Sequence, residues 1–175
     1  MNLKSKNYTL KKFKLSYINN TYLSWFKDKQ IKNYIDSKPK NLLQLEKEVK
    51  KFISDKKTIF WAIFKKKKHI GNIKIFEINK KSKFARLGIL IGEHKYRNKG
   101  CGKEVIEKVT KYLLRQNLDK LWLGVAKKNY LAFNAYKKCQ FEKYTYNNVY
   151  LNNRLKQNKK EYNKKHIFMV NYLKK

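Results

Sequence analysis

The sequence is poor in residues that cross-link or interrupt a chain. Its 175 residues include two cysteines, Cys101 and Cys139, which form no CxxC pair. With only three histidines, they also make no set of metal ligands, so we predict neither a disulfide framework nor a metal site. There is a single proline, no glycine-rich linker and no internal repeat, which predicts one domain over residues 1–175.

Long apolar runs are also lacking. The longest, Ile59 to Phe64, has six residues, whereas a helix that spans a bilayer needs about 20. The start of the chain, Met1 to Phe13, lacks the apolar stretch of a signal peptide. We therefore expect a cytoplasmic protein that does not associate with a membrane.

Acidic residues are scarce, with 12 Asp or Glu against 45 Lys or Arg and a formal net charge of +33. Hydrophobic residues make up 42% of the chain, enough to bury a core, so the charge does not indicate disorder. A cationic surface attracts phosphate backbones. Only four of the cations are Arg, the usual reader of bases, and the lysines are spread along the whole chain. A dedicated nucleic-acid binder is therefore disfavoured.

The spacing of apolar residues predicts one strand and two helices, followed by a run of strands. Tyr8 to Leu15 is expected to be a strand, Asn20 to Asp28 a short helix, and residues 42–53 carry a helical apolar stripe. From Thr58 onward the pattern is typical of strands joined by hairpin loops. These strands are Ile59 to Phe64, Ile70 to Ile78 and Ala85 to Gly92.

The second half of the sequence alternates between helix and strand. Helical spacing from Val105 to Leu113 is followed by strand alternation from Leu121 to Val125 and by another helix from Ala132 to Cys139. A strand that follows a helix that follows a strand implies a parallel crossover. The fold class is therefore α+β, with a mostly antiparallel sheet and one parallel junction. The predicted closing strands are Phe141 to Leu151 and His166 to Leu173.

The segment Arg97 to Lys103 is the one that most indicates chemistry. Gly100 and Gly102 permit a close approach to the main chain, and the free N–H groups of the helix that begins here favour an anion. A P-loop would need Ser or Thr at Glu104, and a dinucleotide fingerprint would need a small residue at Val105. Both of these phosphate loops are therefore excluded.

The same segment resembles the acetyl-CoA signature of the GNAT acetyltransferases, (Arg/Gln)-x-x-Gly-x-(Gly/Ala). A second motif of that family follows the next strand, with Gln140 where the family has Gly. The resemblance is close from about Thr58 to Phe141. It implies a GNAT fold: a mixed, mostly antiparallel sheet of six to seven strands, with helices on both faces and a splay between the fourth and fifth strands. The matching residues are Arg97, Gly100 and Gly102, then Asn129, Ala132, Tyr136, Lys138 and Phe141.

The resemblance implies that acetyl-CoA binds between the splayed strands. Its pantetheine arm would lie along the end of one strand and its pyrophosphate over the loop, with Asn129 and Tyr136 near the sulfur. Tyr136 would act as the general acid that protonates the departing thiolate, and the alternative is a tyrosine that only packs in the core. The strand residues are Leu90, Ile91 and Gly92, and the loop residues are Arg97, Asn98, Lys99, Gly100, Cys101, Gly102 and Lys103.

The general base is less clearly indicated. Glu77 is expected to share a strand face with Ile73 and Ile75, where burial can raise the pKa of a carboxylate toward a useful range. Glu93 and His94, just after the splayed strand, compete with it. A water chain can also remove the proton, so no single base is required.

The opening segment, Trp25 to Ile35, resembles the branch that contains ribosomal-protein N-terminal, spermidine and amino-sugar acetyltransferases. The resemblance implies that the opening helices form part of the acceptor site. Aromatic residues at such spacings are more often simply core. The candidate acceptor contacts are Trp25, Tyr34, Phe60 and Trp61.

The net charge favours one class of acceptor. A surface at +33 should repel a polyamine and attract an anionic small-molecule amine. The leading hypothesis is a nucleotide-activated amino sugar of bacterial surface-glycan synthesis, such as the pseudaminic acid pathway. The alternatives are N-terminal or lysine acetylation of a protein, such as a ribosomal one, and a non-catalytic module that binds CoA or nucleic acid. A monomer or a homodimer is expected.

Overall fold

The computed structural model describes residues 1–145, 152–153 and 165–173. Within them the chain forms one sheet of eight strands, in the order β1-β2-β3-β4-β5-β6-β8-β7. The strands are β1 (Leu3–Lys4), β2 (Thr9–Lys12), β3 (Ile59–Lys65), β4 (Lys68–Asn79), β5 (Phe84–Ile91), β6 (Lys120–Ala126), β7 (Glu142–Lys143) and β8 (His166–Tyr172). The helices are α1 (Asn20–Trp25), α2 (Leu42–Ser54), α3 (Cys101–Arg115) and α4 (Tyr130–Lys137).

The connections confirm the predicted α+β fold with one parallel junction. Strands β1 to β5 form an antiparallel meander, and β5 pairs with β6 in parallel through the crossover helix α3. The sheet has more strands than the expected six to seven because the two-residue strands β1 and β7 add to it. Most of the strand expected from Phe141 to Leu151 lies outside the described residues. The last strand, β8, runs between β6 and β7 and pairs with both.

Strand alternation divides the core between two faces of the sheet. Trp61, Ile73 and Ile75 lie in a cluster with α3 and α4, whereas Phe60 lies in a cluster with α1 and α2. Helices therefore cover both faces, as the fold class predicts. A third cluster continues the α1 and α2 side around Trp122, with Phe84, Tyr144, Phe168 and Val170.

The helices begin in two different ways. The side chains of Asn19, Asn41 and Asn129 cap α1, α2 and α4, each by accepting a hydrogen bond from a main-chain N–H three residues on. Helix α3 begins at Gly100 without a side-chain cap. Its first N–H groups thus remain available to another acceptor. None of the described helices is long and apolar enough to cross a bilayer.

The N-terminal hairpin is bonded to the first turn of α3. The Glu104 carboxylate accepts hydrogen bonds from the Ser5 hydroxyl at 2.6 Å and from the Asn7 side-chain amide at 2.9 Å, and also from the Asn7 main chain. Although burial raises the pKa of Glu104, these hydrogen bonds lower it by more, so the net pKa is below its ordinary value. The bonds fix the start of α3 relative to β1 and β2.

Candidate functional site

The parallel strands β5 and β6 separate along their length. They pair at Phe84, Ala85 and Arg86, where Arg86 lies beside Trp122, and the register ends there. Beyond this point β5 remains paired with β4 as far as Ile91, and β6 remains paired with β8 as far as Ala126. The sheet therefore contains a wedge-shaped opening, which confirms the predicted splay.

The direction of each main-chain N–H group decides which residues of β5 face this opening. The N–H of Gly92 donates to the carbonyl of Ile70 on β4 at 2.9 Å. Because successive N–H groups of a strand point to opposite sides, those of Ile89 and Ile91 face β6, and that of Leu90 faces β4. Of the three residues predicted for the cofactor arm, Ile91 is thus the one whose main chain faces the opening. Sequence reasoning did not include Ile89 among the cofactor-arm residues. The alternation of N–H directions along β5 would have indicated it together with Ile91.

The loop before α3 has the geometry of an anion site. Asn98 and Gly100 have φ angles of 57° and 79°, so consecutive N–H groups converge as they do in anion-binding nests. A Cβ atom added to Gly100 or Gly102 would meet no atom within 4 Å, which leaves the main chain open to a ligand. Lys99 is exposed beside the loop, as is Lys103. These features fit a pyrophosphate.

The side chain of Arg97 turns back onto the end of β5. Its Nε donates to the Ile91 carbonyl at 2.9 Å, and its guanidinium also bonds to the Gly92 carbonyl, to Asp28 at 2.9 Å and to Gln30 at 3.2 Å. The hydrogen bond from Arg97 holds the pKa of Asp28 below its usual value. Arg97 therefore braces the strand against the segment after α1, and the anion is left to the main chain and the lysines.

Cys101 contributes to the loop through its main chain. Its side chain is buried in the core, and burial raises the pKa of the thiol to about 11. The neighbouring Tyr8 hydroxyl is also partly desolvated, which raises its pKa to about 12. A thiol in this environment keeps its proton and is inert as a nucleophile.

Helix α4 follows the open end of β6 and carries the two residues expected near the sulfur. The Asn129 side-chain oxygen accepts a hydrogen bond from the N–H of Ala132 at 3.1 Å. The Nδ2 group of Asn129 has no partner among the described residues. Tyr136 is half-buried against Phe141, with ring centroids 5.8 Å apart. Burial raises the pKa of Tyr136 to about 12, and its hydroxyl makes no hydrogen bond to a described residue.

The one departure from the second motif, Gln140, does not alter the turn after α4. Gln140 has a φ of 65°, the left-handed conformation that favours glycine. Its N–H donates to the carbonyl of Lys137 at 3.0 Å, and the N–H of Phe141 donates to that of Tyr136 at 3.1 Å. These two bonds form a Schellman motif, the usual ending of a helix at glycine. Glutamine therefore takes the conformation of glycine at the cost of strain.

Glu77 is not on the face that the alternation predicts. A register shift follows Phe76, and Glu77 has a φ of 53°, so the expected common face with Ile73 and Ile75 is wrong. The carboxylate lies instead 3.3 Å from the guanidinium of Arg86, on the α1 and α2 side of the sheet. A bulge of this kind redirects a side chain to the other face.

The competing bases lie at the opposite end of β5. Glu93 forms an ion pair with Lys68 at 2.5 Å, and His94 is exposed in the short 3-10 turn that follows. Neither is brought next to Glu77, which lies beyond the narrow end of the opening.

Only two of the four candidate aromatic contacts, Trp25 and Phe60, lie in the same cluster. Phe60 stacks on Phe13 at 4.4 Å in the α1 and α2 core, whereas Trp61 lies on the opposite face and meets Tyr112 of α3 at 5.6 Å. Trp61 is 1% exposed and Tyr34 is 41% exposed. Of the four, only Tyr34 therefore has a largely accessible side chain.

Trp25, the remaining candidate, joins α1 to the end of β5. It is buried, and a Cβ atom on Gly92 would lie 1.9 Å from its indole ring. The glycine is thus required by this contact, and the indole covers the end of β5 where Arg97 also bonds.

The sequence profile described as "Acetyltransferase (GNAT) domain" matches residues 7–142. The chain belongs to the GNAT acetyltransferase family. It is accordingly an acyltransferase that takes its acetyl group from acetyl-CoA. No curated protein has a significant sequence match to the chain.

Solved structures share the GNAT fold over nearly the whole chain. A chimera of the spermidine N-acetyltransferase SpeG from Vibrio cholerae and hSSAT aligns with a TM-score of 0.75 and 20% identity, covering 96% of each chain. Spermidine N-acetyltransferase from Vibrio cholerae in complex with CoA and spermine gives 0.67 and 21%, covering 95% of this chain and 96% of that one. The ribosomal-protein alpha-N-acetyltransferase RimL gives 0.73 and 15%, covering 82% and 81%. At these identities the likeness establishes the fold.

Two cations on the sheet face that carries α1 and α2 were missed by sequence reasoning. Lys74 and Arg86 lie at the narrow end of the opening, on the face that carries α1 and α2. The signal was present in β4, where Asn72, Lys74 and Phe76 alternate with apolar Ile73 and Ile75. Polar residues at alternate positions usually indicate a solvated face, so they did not suggest a site.

Proposed function

We propose that this GNAT acetyltransferase transfers acetyl directly to a primary amine, with Tyr136 as the general acid. The observation that carries the proposal is the hydroxyl of Tyr136 on α4, the helix that follows the open end of β6. This half-buried hydroxyl is protonated and has no hydrogen-bond partner among the described residues. Acetyl-CoA, when bound, supplies a thioester for the amine to attack. Every other requirement falls on the residues of the chain.

The cofactor assignment follows from the geometry of the loop. We assign the pyrophosphate to the main chain of Asn98 to Gly102, helped by the charges of Lys99 and Lys103. We assign the pantetheine arm to Ile91 and to the Nδ2 group of Asn129, while Leu90 and Gly92 keep the strand in place on β4. Arg97 supports this surface from behind.

The chemistry needs a proton at the sulfur and a place for the proton of the amine. As the nitrogen–carbon bond forms and the carbon–sulfur bond breaks, Tyr136 donates to the sulfur and the amine proton leaves to a base. With a pKa of about 12, Tyr136 keeps its proton across the working pH range. Glu77 is the proposed base, directly or through water, because it lies on the acceptor-facing side beside Arg86.

We propose a nucleotide-activated amino sugar as the acceptor. The net charge of +33 supports an anionic acceptor over a polyamine. N-terminal or lysine acetylation of a protein is the second candidate, favoured by the fold shared with RimL. The cytoplasm stays the predicted compartment, and a monomer or homodimer stays the predicted assembly.

The proton-donor role is tested with Tyr136→Phe. We expect kcat to fall by about 10²-fold or more, the usual effect of losing a general acid, while the binding of acetyl-CoA is kept. Tyr130→Phe, at an exposed position of the same helix, is the matched control and should leave kcat unchanged. An unchanged rate for Tyr136→Phe across the pH range would exclude Tyr136 as the acid.

The acceptor is tested by measuring CoA release with a panel of UDP- and dTDP-amino sugars and amine-bearing peptides. Turnover of a sugar nucleotide supports the first candidate, and turnover of peptides alone supports the second. A protein that binds acetyl-CoA but acetylates neither class would be the non-catalytic module.

A further inference from the structure

We propose that Lys74 and Arg86 form a subsite for an anionic group of the acceptor, a carboxylate or a phosphate. The subsite lies on the sheet face that carries α1 and α2, where β5 and β6 begin to separate. This inference rests on the proposed acetyl transfer, because it concerns the molecule that presents the amine. It names two residues that would bind an anionic group of the acceptor, whereas the net charge of the chain indicates no particular position.

The register places both cations at the narrow end of the opening. Lys74 pairs with Gly88 on β5, and Arg86 lies beside Trp122 in the last pair before β5 and β6 diverge. A Cβ atom on Gly88 would lie 3.2 Å from Cε of Lys74, so the lysine stem lies across the glycine. Gly88 thus leaves the space that the Lys74 side chain occupies.

Aromatic rings hold both charged groups in place. The Lys74 ammonium is 3.6 Å from the ring centroid of Phe52 on α2 and 4.8 Å from that of Phe76. The Arg86 guanidinium is 5.0 Å from the ring centroid of Phe76 and 4.7 Å from that of Trp122. Cation–π contacts orient a cation but supply no hydrogen-bond acceptor.

The ammonium of Lys74 has no hydrogen bond and no carboxylate within 4.0 Å among the described residues. Burial, together with the neighbouring charge of Arg86, lowers its pKa to about 8. Glu48 on α2 and Asp36 before it act in the opposite direction from a longer range. A partly buried cation with this environment gains more from an anion than a solvated surface lysine does.

A second unpaired donor lies next to it. Asn72 is 4% exposed and shares the face of Lys74, two residues earlier on β4. Its side-chain oxygen is 2.9 Å from Nε2 of His69, whereas its Nδ2 group is buried without a partner in the described structure. Glu77 pairs with Arg86. The Lys74 ammonium and the Asn72 Nδ2 group are therefore the two donors that an oxyanion would satisfy, since neither has an acceptor in the described structure.

The test uses four amines with the same three-carbon spacer that differ in the charge at its end: propylamine, 4-aminobutanoate, 3-aminopropylphosphonate and 1,3-diaminopropane. Acetyl transfer gives kcat/KM, and calorimetry with CoA-loaded protein gives binding without turnover. We expect the wild type to favour an anionic amine over propylamine by about tenfold or more and to use the diamine least well. The carboxylate and phosphonate arms show which anion the subsite prefers.

Lys74→Met keeps an unbranched side chain of nearly the same length and removes its charge. We expect the preference for the anionic amine over propylamine to fall about tenfold. Lys11→Met is the matched control, because the Lys11 ammonium lies 4.5 Å from the ring centroid of Phe64 on a distant strand and its loss should not change the preference. In the wild type, anion binding should weaken as the pH rises through about 8, where Lys74 loses its proton. Thermal unfolding checks that both variants fold.

The outcomes separate this inference from the proposed function. If anions bind and Lys74→Met loses them but no amine is acetylated, the subsite stands and the transferase proposal fails. If amines are acetylated with no preference for anions, or if Lys74→Met and Lys11→Met behave alike, the subsite is wrong and the transferase stands. Absence of any anion binding by calorimetry also overturns it.

Discussion

The proposed cofactor site and the proposed acceptor subsite are built from different parts of the chain. On the proposed cofactor side, glycines and N–H groups at the start of α3 form the candidate anion site, and the side chains of Arg97 and Cys101 are directed into the protein. On the proposed acceptor side, the side chains of Lys74 and Arg86 line the sheet face that carries α1 and α2. A site built from main-chain groups restricts which residues can occupy its positions, so it can be recognised as a sequence motif. A site built from side chains on separate strands has no such motif, because its residues are scattered along the sequence.

Gly92 is where the two sides meet, and replacing it should have the largest effect. In Gly92→Ala the new Cβ would lie 1.9 Å from the buried indole of Trp25, which cannot move without opening the core. We expect a loss of about 3 kcal/mol in the free energy of unfolding, measured with urea. Gly102→Ala is the control, because its Cβ enters open space on a helix. It should be neutral or stabilising by up to about 1 kcal/mol. Equal stability of the two variants would show that the indole contact does not hold the sides together.

Arg97→Met tests whether the cofactor side depends on a brace behind it. The change leaves the carbonyls of Ile91 and Gly92 unpaired and should cost about 2 kcal/mol at neutral pH, with a higher KM for acetyl-CoA. Arg97 also depresses the pKa of Asp28 in the folded state. The contribution of this ion pair to the free energy of unfolding is present above the ordinary pKa of Asp, about 3.9. It is lost as the pH falls through the lower pKa of Asp28 in the folded protein.

The urea stability of the wild type should therefore approach that of Arg97→Met as the pH is lowered below about 4. Arg115→Met, at the exposed last residue of α3, is the control and should show no such convergence. A gap between wild type and Arg97→Met that is the same at pH 7 and pH 3 would contradict the role of Asp28.

Gln140→Gly should have the smallest effect and the opposite sign. It removes the strain of a left-handed glutamine, so the free energy of unfolding should rise by about 1 kcal/mol. Acetyl transfer should not change, because the turn already places Tyr136 as glycine would. Asn117→Gly, at the same position after α3 with a φ of 59°, is the control. Its gain should be smaller because asparagine tolerates this conformation. A loss of stability in Gln140→Gly would refute the strain, and a change in rate would show that glutamine positions Tyr136.

Much of the fold and the cofactor loop could be predicted because their signals are local. The apolar spacing from Val105 to Leu113 gave α3, and the alternation from Leu121 to Val125 gave β6 and hence the parallel crossover. The two glycines at the start of α3 marked the candidate anion site by themselves, because Gly100 has a left-handed φ of 79° and Gly102 adds no side chain above the main chain.

What could not be predicted depends on partners distant in sequence or on local irregularity. Arg97 matches a motif position expected at the pyrophosphate, but its guanidinium bonds to Asp28, 69 residues away, and to the strand end. One positive φ at Glu77 transferred its carboxylate to the other face of the sheet. Lys74 differs from the other lysines of the strand face because its ammonium packs on the ring of Phe52 of α2, a contact that only the folded structure shows. Linear periodicity contains none of this information.

The bonds from Glu104 to Ser5 and Asn7 have a consequence for the order of folding. They join residues 99 and 97 positions apart, so the start of α3 is fixed only after a long loop has closed. Contacts of this range form slowly. During refolding, helix content should therefore appear before the chain can bind acetyl-CoA, and a chain that lacks residues 1–7 should not fix the start of α3.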